Sequence, residues 1–194
     1  MIKLNGHNKI KTAVFISGNG TNLKSLIKFS LKKNSRFIIN LVISDNLKAK
    51  GLIYAKKYKI KKRIINYKNI KIEENKILFY LKKNNIQLIC LAGFMKILTK
   101  NFIKKFGGKI LNIHPSLLPK YKGLNTHQRV IQNKDKFSGC TVHYVNSKLD
   151  SGKIILQKKI KIFKHDNSVK LSKRILKQEH ILYPKALRKV LINL

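Results

Sequence analysis

Residues 13–33 read AVFISGNGTNLKSLIKFSLKK, and this stretch decides the fold class. Its first five residues form an apolar run typical of a buried strand. A turn containing two glycines follows, and from Thr21 onward leucine and isoleucine recur at helical spacing, which predicts a helix over 21–33. A buried strand that passes through a tight turn into an amphipathic helix is typical of an α/β domain.

The alternation of strand and helix continues through residue 113. Apolar runs bounded by polar turns predict strands, and a 3.6-residue apolar repeat predicts helices. Such alternation indicates a largely parallel sheet. The predicted strands cover residues 13–17, 37–44, 62–66, 87–92 and 110–113, and the predicted helices cover residues 21–33, 48–58, 73–84 and 99–106.

The remaining residues follow a different pattern. A helix is predicted over 126–133, and two strands over 140–145 and 154–162 are separated by a polar turn, which favours an antiparallel pair. From Ser168 the pattern predicts a long helix that is interrupted near Pro184. We therefore expect residues 1–194 to form one α/β domain: a Rossmann-like, mostly parallel twisted sheet with helices on both faces and an antiparallel C-terminal strand pair.

Composition excludes several classes of protein. The 194 residues are 43% hydrophobic, which is enough for a buried core. The apolar runs are far shorter than the roughly 20 residues that span a bilayer, and residues 1–12 lack the apolar segment of a signal peptide. Cys90 and Cys140 have neither disulfide-framework nor metal-site spacing. We expect a cytoplasmic protein without a metal or membrane contact.

The net charge is unusual, because 44 Lys+Arg face only 7 Asp+Glu, giving +37. Such an excess attracts phosphates and is compatible with nucleic-acid binding. However, the cations are almost all lysines spread along the whole chain, without a dense tract or an RNA-binding motif. Compositional drift in an AT-rich genome explains this pattern better, so specific nucleic-acid binding is not expected.

The turn at residues 18–22, GNGTN, is a candidate anion site. Glycines let the backbone approach a ligand closely, and the helix that follows offers free N–H groups. The third glycine of the dinucleotide fingerprint and the Walker lysine are both missing, so a monophosphate fits better than a nucleotide. A plain tight turn capped by Thr21 is the alternative.

The segment 112–119, NIHPSLLP, is a candidate catalytic loop directly after a predicted strand. If residues 112–114 are extended, Asn112 and His114 point to the same side. An amide donor beside an imidazole suits the stabilisation of an oxyanion and the transfer of a proton to it. Asp150, in the turn LDSG, could hold His114 if the two are close, although an Asp before a glycine-containing turn is usually only turn chemistry.

These segments together resemble the folate-dependent formyltransferase family along nearly the whole chain. NIHPSLLP and the downstream LDSG match the signature of the wider family, and GNGTNL narrows the resemblance to the glycinamide ribonucleotide formyltransferases of purine biosynthesis. Further matching segments are LAGFMKIL at 91–98, GCTVHYV at 139–145 and QEH at 178–180.

The resemblance implies transfer of formyl from 10-formyltetrahydrofolate to the amine of glycinamide ribonucleotide, without a metal. Asn112, His114 and Asp150 match the family's catalytic positions, and Glu179 matches an acidic residue that contacts the substrate. Without the resemblance, Glu179 would be an exposed helix glutamate and Met95 to Leu98 would be core. The implied substrate-binding residues are Gly20, Thr21, Asn22 and Glu179, and the implied folate-binding residues are Met95, Lys96, Ile97, Leu98, Asn112, Asn146, Ser147, Lys148, Leu149 and Asp150.

Three alternatives stay open. Methionyl-tRNA formyltransferase shares the SLLP and LDxG features. It is disfavoured because it has a C-terminal RNA-binding domain and because it lacks the GNGTNL loop found in this sequence. Formyltetrahydrofolate hydrolase usually has an additional N-terminal domain. A non-catalytic, lysine-rich nucleic-acid binder on the same scaffold would not need to retain the catalytic residues.

One departure from the family is Asn125, where a histidine is usual. We expect a monomer or a homodimer.

Overall fold

The computed structural model describes residues 9–192, which contain seven strands and six helices. The strands are β1 (Ile10–Ile16), β2 (Phe37–Ser44), β3 (Lys61–Ile64), β4 (Leu88–Leu91), β5 (Lys109–His114), β6 (Phe137–Tyr144) and β7 (Ile154–Lys161). The helices are α1 (Thr21–Ser30), α2 (Leu52–Lys57), α3 (Ile70–Lys83), α4 (Lys100–Phe106), α5 (Thr126–Gln132) and α6 (Ser168–Ile192).

The strands form one sheet in the order β3-β2-β1-β4-β5-β6-β7. The first five strands along the chain are parallel, and β6 and β7 are antiparallel to their neighbours. The chain winds outward from β1 to β3 and then returns to β4 on the other side of β1. The loops that leave β1 and β4 therefore diverge, and open α/β sheets bind ligands in the crevice at such a point.

Helices cover both faces of the sheet, as the alternating apolar residues of β1 illustrate. Val14 and Ile16 belong to one buried cluster with residues of α1, α2, α5 and α6. Ala13 and Phe15 belong to a second cluster on the opposite face, with residues of α3 and α4. Successive strand residues point to opposite faces, so a fully apolar strand is what a sheet covered on both sides requires. The predicted fold class is confirmed.

Several predicted boundaries differ from the structure by one to four residues, including the end of α1 at Ser30 and the start of β6 at Phe137, and two of the differences have an identifiable reason. The first strand starts at Ile10 rather than residue 13, because Ile10 pairs with Phe37 at the start of β2. The second helix starts at Leu52 rather than residue 48, because the preceding residues form a turn that brings Gly51 against Gly20. Neither contact is visible in a local apolar pattern.

The predicted interruption of the last helix near Pro184 is wrong, because α6 continues through this residue. A proline inside a helix has no N–H to donate, so the carbonyl four residues earlier loses its partner. That carbonyl belongs to His180, and it accepts a hydrogen bond of 2.6 Å from the Ser25 hydroxyl of α1. The neighbouring helix thus satisfies the group that the proline leaves free.

Replacing Ser25 by Ala should destabilise the fold by about 1–3 kcal/mol, because the His180 carbonyl would then lack a donor. Urea unfolding would measure this loss. Ser172→Ala is the matched control, since the Ser172 hydroxyl bonds only the Val169 carbonyl at an exposed position of α6. Equal stabilities of the two variants would contradict the role given to Ser25.

Candidate active site

A cavity of about 800 Å³ lies at the carboxyl ends of β4 and β5, beside the point where the chain reverses its winding. Its walls come from the ends of β4, β5 and β6 and the loops that follow them, from the start of α5, and from single residues of α1 and α6. Gly20 and Thr21 are not part of the lining and lie at the start of α1. The lining includes the other residues that the sequence singles out: Asn22, Met95, Lys96, Ile97, Leu98, Asn112, His114, Asn146, Ser147, Lys148, Leu149, Asp150 and Glu179.

Asn112 and His114 reach the cavity because they lie two residues apart on β5. Between them, Ile113 points into the opposite apolar cluster, beside Leu111. Period-two alternation thus gives one face of the strand end to the core and the other to the cavity. His114 is buried, and Asn112 is half-buried.

Asp150 joins both side chains from the turn between β6 and β7. Its Oδ2 lies 3.3 Å from His114 Nδ1, and its Oδ1 lies 3.4 Å from Asn112 Nδ2. The Gly123 N–H donates to Oδ2 at 2.9 Å, which fixes the carboxylate from a third direction. Asp150 has a left-handed backbone conformation with φ of 45°, which Asp tolerates better than most residues. The three residues therefore form one group, joined by a hydrogen bond from Asn112 and by the ion-pair distance to His114.

His143 belongs to the same group, although the sequence did not single it out. It lies directly opposite Asn112 in the antiparallel β5–β6 ladder. Its Nδ1 is 2.8 Å from the Tyr144 carbonyl and therefore carries the proton, so Nε2 accepts from Asn112 Nδ2 at 3.2 Å. The sequence predicted only that β6 pairs with β7. It could not show that β6 also pairs with β5, which is the pairing that brings His143 beside Asn112.

The charge states of His114 and Asp150 are set by burial and by their neighbours. Burial holds the pKa of His114 below its usual value, although the Tyr121 carbonyl and the Asp150 carboxylate act in the opposite direction. Burial alone would raise the pKa of Asp150, but the contacts with His143, the Gly123 N–H and His114 outweigh it and lower this pKa. At neutral pH the imidazole is thus uncharged and the carboxylate is ionised.

His114 is surrounded by acceptors on both sides. Nε2 lies 2.8 Å from the Tyr121 carbonyl, and Nδ1 faces Asp150 at 3.3 Å. A neutral imidazole has only one N–H, so it can donate to one of these two groups at a time. A second proton on the ring would find an acceptor already in place. These two acceptors partly offset the effect of burial, which still keeps the pKa of the ring below its usual value.

The far end of the cavity contains a buried pair, Asn22 on α1 and Glu179 on α6. Asn22 Nδ2 donates to Glu179 Oε2 at 2.7 Å, and Asn22 Oδ1 is buried without a partner in the described residues. Burial raises the pKa of Glu179, and the bond from Asn22 only partly opposes this shift. The exposed-helix alternative for Glu179 is wrong, because the side chain faces α1 instead of solvent.

The turn before α1 has the geometry of an anion-binding loop. Gly20 has φ of 67° and occupies the position before the helix, where no side chain caps the free N–H groups. The alternative of a turn capped by Thr21 is therefore wrong, since Thr21 is the first helical residue. A Cβ on Gly20 would overlap the Cα of Gly51, and the Gly51 N–H donates to the Gly18 carbonyl at 3.0 Å. Besides His143, Gly51 is thus another functional-site residue that the sequence did not indicate.

The mouth of the cavity is apolar and open to solvent. Met95 and Ile97 are 65% and 68% exposed, so the alternative that residues 95–98 are core is wrong for both, whereas Leu98 is buried. Leu149 and Leu124 face the same opening. The Met95 N–H donates to the Ser17 hydroxyl at 2.8 Å, which ties this loop to the residue that follows β1. Exposed aliphatic side chains around a cavity provide an apolar surface for a planar ligand.

Asn125, where the family usually has histidine, precedes α5 with φ of 56°. Asn adopts this left-handed conformation at lower cost than most residues. Asn125 lines the cavity and is exposed, so it contributes an amide at the rim.

No group of three or more His, Cys, Asp or Glu residues within 9–192 is arranged to hold a metal ion.

Comparisons with known proteins agree on one family. The family model described as formyl transferase matches residues 10–187. A phosphoribosylglycinamide formyltransferase of Haemophilus influenzae is 45% identical over 177 residues, covering 90% of this chain and 84% of that protein. The crystal structure of phosphoribosylglycinamide formyltransferase from Anaplasma phagocytophilum superimposes with a TM-score of 0.90 at 39% identity, covering 95% of this chain and 87% of that one.

A longer relative contains the same unit. The human trifunctional purine biosynthetic protein adenosine-3 is 42% identical over 185 residues, which is 94% of this chain. The match covers only 18% of the human protein's length. The chain therefore corresponds to one part of that relative, and to most of the bacterial protein.

Proposed function

The chain belongs to the formyl transferase family, and we propose that it transfers the formyl group of 10-formyltetrahydrofolate to the amine of phosphoribosylglycinamide. The products are formylphosphoribosylglycinamide and tetrahydrofolate, in a step of de novo purine biosynthesis. The observation that carries the proposal is the single cavity in which Asn112, His114 and Asp150 meet within hydrogen-bonding or ion-pair distance. Relatives named phosphoribosylglycinamide formyltransferase match most of the chain.

The chemistry requires an oxyanion to be held and a proton to be moved. When bound, 10-formyltetrahydrofolate supplies the formyl carbon that the substrate amine attacks. A C–N bond forms to the amine, a C–N bond to the folate nitrogen breaks, and one proton passes from the amine to that nitrogen. We assign the tetrahedral oxygen to donors from Asn112 and His114, because preorganised donors stabilise such charge strongly.

Asp150 is the proposed proton carrier, acting through a water. Its carboxylate is ionised at neutral pH and faces both other members of the trio. It would accept the proton that the amine loses and return it to the leaving nitrogen. Its negative charge also stabilises the imidazolium of His114, should the ring take up a proton while it contacts the oxyanion.

Two contacts must be exchanged when the substrates bind. The Nε2–H of His114 has the Tyr121 carbonyl as its partner, and the Nδ2–H groups of Asn112 point toward His143 and Asp150. The bond from Asn112 to Asp150 is long at 3.4 Å and is the weaker of the two. We propose that this second N–H turns to the oxyanion, while the bond to His143 keeps the amide oriented.

The phosphate of one substrate would bind at the start of α1, beside the cavity, and the folate would bind at the cavity mouth. Gly20, Thr21 and Asn22 would receive the phosphate at the uncapped start of α1. Glu179, whose pKa is raised by burial, would contact the sugar or amine region. The proposed folate slot is the apolar mouth, and the residues assigned to it are Met95, Lys96, Ile97, Leu98, Asn112, Asn146, Ser147, Lys148, Leu149 and Asp150.

We further propose that residues 1–194 act as one formyltransferase domain, as a monomer or homodimer, in the cytoplasm. The two cysteines, Cys90 and Cys140, are both buried and unpaired, as is usual in a reducing compartment. Sequence-specific nucleic-acid binding does not form part of the proposed function. No helix among residues 9–192 combines the length and the apolar character that crossing a membrane requires.

One assay tests the reaction. The enzyme is given 10-formyltetrahydrofolate with phosphoribosylglycinamide, with methionyl initiator tRNA, or with no acceptor, and tetrahydrofolate release is followed. We expect release only with phosphoribosylglycinamide. Release only with the tRNA would assign the chain to the sibling enzyme, and equal release without an acceptor would indicate a hydrolase; either result contradicts the proposal.

Replacing His143 by Ala should lower kcat about 10- to 100-fold, which corresponds to about 1.4–2.7 kcal/mol of lost transition-state stabilisation. The reason is that Asn112 Nδ2 loses the acceptor that orients it. The KM for phosphoribosylglycinamide should change little. His143→Gln keeps an acceptor near the same position, so it should recover part of kcat; a KM effect of equal size in both variants would argue for a merely structural residue.

A further inference from the structure

The distribution of the seven carboxylates is more unusual than their number. They are Asp45, Glu73, Glu74, Asp135, Asp150, Asp166 and Glu179, and all of them lie within the described residues. Each is buried or half-buried, and none falls in the exposed class. Lys, Glu, Arg and Asp are ordinarily the residues that a protein leaves on its surface. The described surface therefore has no exposed carboxylate side chain.

Six of the seven carboxylates accept a hydrogen bond from a specific partner, whereas Asp45 has one ion pair and a buried Oδ1 without a partner in the described residues. Asp166 accepts from Arg174 and from the Phe163 N–H, and Glu74 accepts from Thr99. Asp135 accepts from the Tyr121 hydroxyl, and Glu73 accepts from Lys76. Asp45 lies 4.0 Å from Lys96, and the remaining two belong to the cavity. Four of the seven carboxylates pair with lysine or arginine side chains, so they balance only a few of the cations and leave the outer surface strongly positive.

The lysines show the opposite distribution. Within residues 9–192 all of them are exposed except Lys11 and Lys109, which are half-buried. Exposed lysines occur on α1, α2, α3, α4, α6, β3 and β7, so they cover every side of the sheet and both of its edges. A positive potential of this kind has no single centre. It surrounds the molecule.

Exposed aromatic rings are interleaved with these cations. The Lys159 ammonium lies 3.8 Å from the centre of the Phe137 ring, and the Arg174 guanidinium lies 4.5 Å from that of Phe163. Lys83 lies 5.9 Å from the centre of the Phe79 ring, which is 60% exposed. Cations beside exposed rings are the two components with which proteins bind single-stranded nucleic acid without sequence preference.

We infer that the outer surface binds single-stranded RNA through its phosphate backbone, without sequence preference and without a localised site. A flexible polyanion can follow a charge that surrounds the molecule, whereas a planar membrane contacts one side only. Affinity should arise from release of the counterions condensed on the RNA, so it should depend steeply on salt. This binding is independent of the formyl transfer proposed above and does not require the cavity.

The test is a fluorescence anisotropy titration of the full chain with a labelled mixed-sequence 20-nucleotide RNA at several KCl concentrations. We expect the affinity to fall by roughly 300- to 15,000-fold between 50 and 200 mM KCl, because 6–10 neutralised phosphates give a salt slope of about −0.7 per phosphate on a single strand. Unlabelled RNA of unrelated sequence should compete equally. A fall of less than tenfold, or competition by one sequence only, would overturn the inference.

Two matched charge variants test whether the binding is distributed. One variant changes Lys71, Lys82 and Lys83 of helix α3 to Gln. The other changes Lys158, Lys159 and Lys161 of the edge strand β7 to Gln. Both should weaken binding to a similar degree and reduce the salt slope by up to about 2, and Lys→Arg changes at the same positions should restore it. Loss of binding in one variant alone would overturn the distributed surface.

Two further arms separate RNA from other partners and the aromatic rings from the charges. Vesicles with anionic lipid should bind more weakly than RNA at equal phosphate concentration, and stronger binding to vesicles would contradict the inference. Phe79→Leu together with Phe163→Leu should weaken binding of single strands but not of duplex RNA, at an unchanged salt slope. Ile53→Ala, at another exposed apolar position, is the control and should have no effect.

Discussion

The His114→Ala variant should lose about 10²–10⁴ in kcat for formyl transfer, because general acid–base and oxyanion contacts of one imidazole have this size. The ring lies between the Tyr121 carbonyl and Asp150, and His143, the other histidine of this group, is held by the Tyr144 carbonyl and Asn112. Substrate binding relies on other residues, so KM should change far less than kcat. Steady-state kinetics with both substrates varied measures the two parameters separately.

His165→Ala is the matched control for this variant. His165 is an exposed residue between β7 and α6, outside the cavity lining, so its removal should leave kcat unchanged. A loss of less than about tenfold in His114→Ala, equivalent to about 1.4 kcal/mol, would mean that the role assigned to His114 is wrong. Normal unfolding of the variant would show that the loss belongs to the chemistry.

Replacing Asp150 by Asn should lower kcat by a similar factor of about 10²–10⁴, because the amide can neither take up the proton nor stabilise an imidazolium. Asn keeps nearly the same shape, tolerates the left-handed φ of 45° and can still accept from the Gly123 N–H. A structural role would therefore survive the change. Activity within tenfold of the unmodified enzyme would contradict the proposed proton carrier.

The same variant should change how stability depends on pH. The pKa of His114 lies below its usual value, so between the two values the unfolded chain binds more protons than the folded chain. The contribution of His114 to stability is complete above the usual pKa of about 6.5 and falls as the pH is lowered toward the folded pKa. Asp150 partly raises the pKa of His114, so its neutralisation lowers that pKa further. Urea unfolding should therefore show that the free energy of unfolding falls more between pH 7 and pH 5 in Asp150→Asn than in the unmodified enzyme.

Much of the fold could be predicted because its signals are local. The apolar run of β1, the glycine turn and the apolar stripe of α1 are contiguous, and β2 was predicted with the bounds that it has in the structure. Alternation along β5 predicted that Asn112 and His114 share a side, since this depends only on neighbouring residues. These inferences need no knowledge of distant contacts.

The features that escaped prediction depend on residues far apart in the chain. Glu179 lies against Asn22 across 157 positions, and the Ser25 hydroxyl reaches His180 across 155. His143 enters the site because β6 pairs with β5, which a pattern within β6 cannot show. Whether a polar residue is exposed or buried against a partner is decided by such packing. Local periodicity gives only its position on the element.

The contact between Gly20 and Gly51 has a consequence for how a ligand would be received. Backbone packs directly on backbone there, and the Gly51 N–H is bonded to the Gly18 carbonyl, so the loop and the start of α2 form one rigid piece. A phosphate that binds to this loop would lose its own freedom but would not have to order the loop. Preorganisation of this kind spares the conformational entropy that a mobile loop loses on binding. The rate of capture would then be governed by diffusion in the positive field of the surface, without a loop-closing step.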